Sequence, residues 1–253
     1  MEIFDLSGKI AVVTGGNQGI GFAVARGLAS TGATIVIANR SAAAGQSAAE
    51  SLQKDGFNAV AIPTDVTNQS SVATMVSKVT NDFGKIDILV NNAGVMVRKP
   101  VEDITEEDWD YVINTNLKGL FFCCQLVGKE MIRNKKGRII NISSVRAQKM
   151  APNRSVYAIS KAGVSNLTRV FAFEWGKYNI TVNAIAPGTT ITDINRKHFE
   201  EHPEELREII KSIPRGREGY PLDYVGAAIF LASDASDFIT GQTLFADGGT
   251  TIC

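Results

Sequence analysis

Seven short runs rich in β-branched residues punctuate the chain, at 10–14, 34–38, 59–63, 86–90, 138–142, 180–185 and 242–246. Each is too short for a helix of its own, and near-continuous apolar composition suits a strand buried on both faces. The segments between them, at 20–30, 42–54, 70–83, 117–133, 155–177 and 222–232, carry helical period and composition. Alternation of this kind means βαβ units, and therefore a parallel sheet with helices on both faces. The expected fold is α/β, a single doubly wound domain over residues 1–253. No internal repeat, low-complexity tract or linker divides it. The one compositional shift, at 193–219, is rich in charge and helix formers and lies between the last two strands, so a mobile insertion at about 190–219 is expected.

Composition narrows the function class. A chain of 253 residues with 44% hydrophobic and 21% charged side chains can bury a full core without metal or disulfide staples. Twenty-six basic against 26 acidic residues provide no global attraction for nucleic acid or an anionic membrane. Three cysteines, two of them adjacent and one terminal, make no disulfide framework and suit a reducing compartment. No apolar run reaches the length of a membrane span or a signal peptide. A cytoplasmic protein is expected.

The first run leads directly into Thr14-Gly15-Gly16-Asn17-Gln18-Gly19-Ile20-Gly21, where helical periodicity begins. Glycines here let a strand bend sharply into a helix, let a pyrophosphate approach the backbone, and let helix and strand pack closely. The helix start offers free N–H groups and the positive end of its dipole to phosphates. The spacing Gly-x3-Gly-x-Gly is a variant of the commoner dinucleotide fingerprint. Cofactor preference is read at the end of the second strand, where an acid selects a free ribose 2′-hydroxyl. The chain has Asn39 and Arg40 there, and no acid. Arg40 carries a planar, permanent charge suited to a 2′-phosphate, so NADP(H) is expected over NAD(H). Gln18, within the turn, adds no second charge.

Tyr157 and Lys161 lie four apart in a helical segment and so share a face, a spacing that means little alone. Their company gives it weight. Ser144 follows the fifth run, at the carboxyl end of the sheet where open α/β folds bind ligands. Asn116 sits near the start of a long helix, and Asn91-Asn92-Ala93-Gly94 closes the fourth strand. With the glycine turn, Asp65-Val66 after the third strand, Pro187-Gly188 and Thr192, these residues resemble, in order and spacing, the short-chain dehydrogenase/reductase family over essentially the whole chain.

That resemblance implies a Rossmann-type seven-stranded parallel sheet, a nicotinamide cofactor and reversible hydride transfer at a carbonyl or alcohol carbon. It implies Tyr157 as general acid/base, Lys161 as the cation that makes a phenol useful near neutral pH, Ser144 as the hydrogen-bond donor to the substrate oxygen, and Asn116 as holder of a relay water. It places Gly15, Asn17, Gln18, Gly19 and Ile20 on the pyrophosphate, Asp65 and Val66 at the adenine, and Asn92, Ala93 and Gly94 along the adenosine. Pro187, Gly188, Thr190 and Thr192 flank the nicotinamide, Thr190 standing where many members carry an aliphatic residue. It also implies a homotetramer or homodimer, with Phe121, Phe122, Phe171, Phe173 and Trp175 as apolar anchors.

Arg98 and Arg146 border the expected pocket mouth, as does Lys99, which makes an anionic substrate a reasonable expectation; solvated cations are an equal one. The stretch 91–118 looks most like members acting on sugars and sugar acids, such as gluconate 5-dehydrogenases. A 3-oxoacyl-(acyl-carrier-protein) reductase is the alternative, with Lys135, Lys136 and Lys177 meeting an acidic carrier. A non-catalytic NADP(H)-binding sensor or scaffold is the alternative of another class. His198 and His202 are expected on a solvated helical face, Cys123 and Cys124 in packing, and the basic run at 135–138 at a helix end.

Overall fold

The computed structural model describes residues 2–253. Seven strands form where β-branched residues cluster: β1 (Ile10–Thr14), β2 (Thr34–Asn39), β3 (Ala59–Pro63), β4 (Ile88–Asn91), β5 (Gly137–Ile142), β6 (Ile180–Pro187) and β7 (Thr243–Ala246). They make one sheet in the order β3-β2-β1-β4-β5-β6-β7, every pair parallel. The chain runs outward from β1 in one direction, then restarts at β4 beside it and runs the other way. That reversal opens a crevice at the carboxyl ends of β1 and β4.

Alternation along each strand divides the core. Ile10 and Val12 of β1 pack on one face with Val72, Met75, Val127, Met131 and Val164. Ala11 and Val13 pack on the other with Val24, Leu28, Ala48, Leu52 and Leu231. The first face is covered by α3 (Gln69–Phe83), α5 (Leu120–Asn134) and α6 (Ser155–Trp175), the second by α1 (Gly19–Ser30), α2 (Ala42–Lys54) and α9 (Val225–Ala232). Among the described residues no helix is long and apolar enough to cross a membrane.

Three elements depart from expectation. The helix expected over 117–133 begins earlier, with α4 (Glu106–Ile113), passes through a π-helical turn at Asn114–Gly119, and only then becomes α5. Thr105 and Asp108 start α4 with a reciprocal capping box. β4 starts at Ile88, two residues later than the run at 86–90, and Asp87 just before it accepts the Ile10 N–H on its carboxylate at 2.9 Å. The basic run at 135–138 begins as expected at a helix end, with Lys135 the C-cap of α5, but Arg138 is buried in β5 and donates to Asp234 and Asp237 at 3.1 and 2.6 Å. Lys136 also pairs with Asp234.

Between β6 and β7 the insertion folds as α7 (Arg196–Glu201) and α8 (Pro203–Lys211). Its two ends are stapled together: the Gly219 N–H donates to Thr189 O at 2.8 Å, and Thr190 and Gly219 form an isolated parallel bridge.

Helices α1 and α9 approach closely on the second face at Gly27, where a Cβ would stand 2.2 Å from Val225 Cγ1. Gly27→Ala is expected to destabilise the fold by about 1–3 kcal/mol through overpacking, despite alanine's better helix propensity. Val225→Ala opens the space, so the double variant is expected to be more stable than the sum of the two singles predicts, as denaturant melts will show.

Candidate active site

The turn from β1 to α1 follows from three glycine positions. Gly15 and Gly19 have φ of +61° and +55°, in the left-handed region that side chains resist. At Gly21 a Cβ would lie 2.4 Å from both Asn92 Nδ2 and Gly15 O. Gln18 precedes α1 without a side-chain cap, so the first N–H groups of the helix face the crevice unclaimed by a capping side chain. Asn92 closes the arrangement, its amide donating to Gly15 O at 2.9 Å and Thr14 O at 3.2 Å. Its position is therefore structural as well as lining.

The crevice has a volume of about 320 Å³, and every crevice candidate on the first two βα turns and after β3 and β4 lines it: Gly15, Asn17, Gln18, Gly19, Ile20, Asn39, Arg40, Asp65, Val66, Asn92, Ala93 and Gly94. Several are already engaged. Asn39 is buried and donates to Ser41 O at 2.8 Å, holding the β2–α2 turn. Asp65 accepts from the Thr67 N–H and hydroxyl at 2.9 and 2.7 Å. Arg40 is exposed at the crevice edge.

A second pocket adjoins the first, sharing Ile20, Asn92, Gly94, Thr192 and Ile194 with it. Here Ser144, Tyr157, Lys161, Pro187, Gly188, Thr190, Arg98 and Arg146 meet. Thr190 bonds the buried Tyr224 hydroxyl and donates to Gly188 O, which accounts for a polar residue at that place. Thr192 donates its N–H to Asn195 Oδ1 at 2.9 Å. Lys99 turns away to Asp108.

Ser144 Oγ accepts from the Arg146 N–H at 3.1 Å, which leaves its own proton free to be donated. Tyr157 stands one helical turn from Lys161 on α6. Burial pushes the phenol above its usual pKa, opposed by the Ser144 hydroxyl and by the charges of Arg146 and Arg154. Lys161 donates from Nζ to Ile142 O at 2.7 Å, with Nζ 5.7 Å from the centre of the Tyr157 ring. Burial lowers its pKa to about 8. Asn116 lines neither pocket. It is fully buried in the π turn, accepting from the Val95 N–H at 2.8 Å and donating to Val95 O and Ser160 Oγ at 2.9 and 3.1 Å. A Cβ on Gly94 would lie 3.5 Å from Asn116 Oδ1 and 3.7 Å from Lys161 Nζ, so its absence leaves a gap between those two atoms.

Sequence reasoning passed over Arg154, which precedes α6 three residues before Tyr157 and also lines the second pocket. The three-residue spacing, close to one helical turn, was the available signal. It also passed over Glu205 of α8, whose carboxylate meets Arg154 at 2.8 Å, Arg98 at 3.6 Å and His198 at 2.6 Å. His198 is thus half-buried in an ion cluster and not on a solvated face. Burial, with repulsion from Arg154, brings the Arg98 pKa down to about 10, and burial lowers Arg146 as well. Both stay charged at neutral pH. Cys123 is buried, its thiol pushed up to about 12, and therefore inert.

A family model described as enoyl-(acyl carrier protein) reductase matches residues 15–251. The gluconate 5-dehydrogenase of Gluconobacter oxydans is 39% identical over 252 residues, covering 99% of this chain and 98% of the relative. The 3-oxoacyl-(acyl-carrier-protein) reductase of Chlamydia trachomatis is 39% identical over 245 residues, covering 96% and 98%. Among solved structures, a gluconate 5-dehydrogenase from Burkholderia cenocepacia in complex with NADP and tartrate superposes with a TM-score of 0.96 at 39% identity, covering 100% of this chain and 98% of that one. The chain belongs to the short-chain dehydrogenase/reductase family of NAD(P)-dependent oxidoreductases.

Proposed function

We propose that this enzyme transfers a hydride between NADP(H) and the carbinol or carbonyl carbon of a sugar acid or related polyhydroxy acid. The observation that carries this reading is the convergence of three guanidinium groups, Arg98, Arg146 and Arg154, on the pocket that holds Ser144, Tyr157 and Lys161. Guanidinium forks match carboxylates in shape and charge. The names of the Gluconobacter and Burkholderia relatives support the same class of substrate. A 3-oxoacyl thioester fits less well: its acyl chain brings no charge to this pocket, and Lys136, one of the cations available to a carrier, is paired with Asp234. The tyrosine, lysine and serine are all present, which disfavours a non-catalytic sensor.

The glycine turn and the uncapped start of α1 fit a pyrophosphate, and Arg40 with Ser41 at the crevice edge fits a 2′-phosphate. NADP in the Burkholderia structure supports that choice. When bound, the nicotinamide supplies the hydride in reduction and accepts it in oxidation. Tyr157 gives its phenolic proton to the substrate oxygen during reduction and takes it back in oxidation. Ser144, whose acceptor side is engaged by the Arg146 N–H, turns its own proton toward that oxygen and orients it. Lys161, charged below about pH 8, favours the phenolate as it forms. Asn116 braces the floor of the site, and the gap beside Gly94 is where a relay water would link Lys161 outward.

The insertion at 190–219, stapled at its base and carrying α7 and α8 over the pocket, serves as a substrate lid on one domain spanning 1–253. Of the expected anchors, Phe171 and Trp175 belong to the core, whereas Phe121 and Phe173 remain exposed, Phe173 at 91%. They support a homotetramer, which the mass in solution decides. Two buried free cysteines and an exposed third suit the cytoplasm.

A screen of sugar acids, 3-oxoacyl thioesters and simple ketones with NADPH and NADH tests the reading. Turnover is expected with polyhydroxy acids; a preference for uncharged ketones overturns it. On the substrate found, Tyr157→Phe is expected to lower kcat by about 10²–10⁴-fold with NADPH binding retained. Wild-type alcohol oxidation, which needs the phenolate, should rise with pH. Arg40→Ala is expected to weaken NADPH about tenfold or more while leaving NADH within about threefold, measured by fluorescence titration.

A further inference from the structure

The three arginines of the substrate pocket are not equivalent. Arg154 donates to Glu205 Oε1 from Nη2 and to Pro152 O from Nη1, at 2.8 and 2.9 Å. Arg98 lies 3.6 Å from the same carboxylate oxygen, with its guanidinium over the Phe199 ring. The second oxygen of Glu205 meets His198. Arg146 has a different setting: its Nη1 donates to Lys149 O and Met150 O at 3.2 and 3.3 Å, and among the described residues it meets no carboxylate. Its backbone N–H is bound to Ser144 Oγ, so its charge is placed two residues from the group that orients the reacting oxygen.

Glu205 is ionised at neutral pH. Burial opposes its charge, but Arg154 and His198 outweigh burial and hold the carboxyl below its ordinary range. The lid therefore brings its own carboxylate to two of the three arginines. We propose that Glu205 is a specificity-determining residue: it reserves Arg98 and Arg154, leaves Arg146 to take the substrate's carboxylate, and so matches the pocket to monoanionic acids and against dianionic ones. A second carboxylate arriving at Arg98 and Arg154 meets Glu205 already there, and like charges around one pair of cations repel. The inference rests on the reading that this pocket binds a polyhydroxy acid, and it adds which number of charges that acid carries.

The test compares D-gluconate with D-glucarate, which differ in one terminal group, CH₂OH against carboxylate. Binding of each to the NADP⁺-loaded enzyme is measured by calorimetry. Wild type is expected to bind gluconate at least tenfold tighter than glucarate. Glu205→Gln, which keeps the shape and removes the charge, is expected to improve glucarate at least tenfold and move gluconate less than threefold. Arg146→Met, as a second variant, is expected to weaken gluconate at least tenfold. Equal changes for both ligands in Glu205→Gln, or a wild type that already prefers glucarate, overturn the proposal. Failure of the underlying reading looks different: gluconate and glucarate then bind no tighter than uncharged sorbitol in wild type and variants alike, and the inference falls with it.

Discussion

One side-chain interaction ties the two halves of this molecule together. Thr14, the last residue of β1, accepts at Oγ1 from the N–H groups of Asn92 and Ala93 at 3.0 and 3.2 Å, and Asn92 returns its amide to Thr14 O and Gly15 O. These bonds span 77 to 79 residues of sequence and sit where the strand order reverses. Each contributes only about 1 kcal/mol net, but leaving these part-buried groups unpaired costs more. The glycine turn is thus held against the end of β4. Everything downstream of β4, including Gly94 and Val95 on the pocket wall, inherits its position from that latch.

A second brace extends the first. The π turn at Asn114–Gly119 inserts one residue into an otherwise continuous helix and rotates Asn116 inward. There it holds both backbone groups of Val95 and, through Ser160, the stretch of α6 immediately before Lys161. The end of β4 and the face of α6 that carries Tyr157 and Lys161 are therefore joined through one buried amide. Gly119, the last residue of the turn, allows the close approach this needs, since a Cβ there would lie 2.7 Å from Val66 O. The crevice and the reactive pocket share walls because these two elements are tied.

The β-branched clusters and the glycine turn were legible because they are local: a strand buried on both faces must be apolar, and a strand-to-helix bend against a neighbouring strand needs glycine. Asn116, Ser144, Tyr157 and Lys161 were legible as a pattern, not individually. α4 was not, because Glu106-Glu107-Asp108-Trp109-Asp110 shows no apolar stripe and declares itself only through the Thr105 capping box. A π turn leaves no periodic trace, since one inserted residue shifts the apolar register by a single step. Arg154 and Glu205 lie 51 residues apart, and no local rule pairs them. His198 illustrates the cost of local reading: its neighbours suggested a solvated helix, and a carboxylate from the next helix captured it.

The equal count of 26 basic and 26 acidic residues conceals a local imbalance that carries the chemistry. Arg98, Arg146 and Lys161 are each held charged against burial, which lowers the pKa of all three. Buried charges persist where a partner or a hydrogen-bonding cage offsets desolvation, and among the described residues one carboxylate, Glu205, pairs with two of the three guanidinium groups. The excess positive charge is directed at the same small volume as the Ser144 hydroxyl and the Tyr157 phenol. An anion entering there would relieve the mutual repulsion of Arg98, Arg146 and Arg154, which a neutral ligand would leave uncompensated. Glu205, which already answers two of those three charges, reaches them from α8, so the net charge of the pocket depends on where that helix sits.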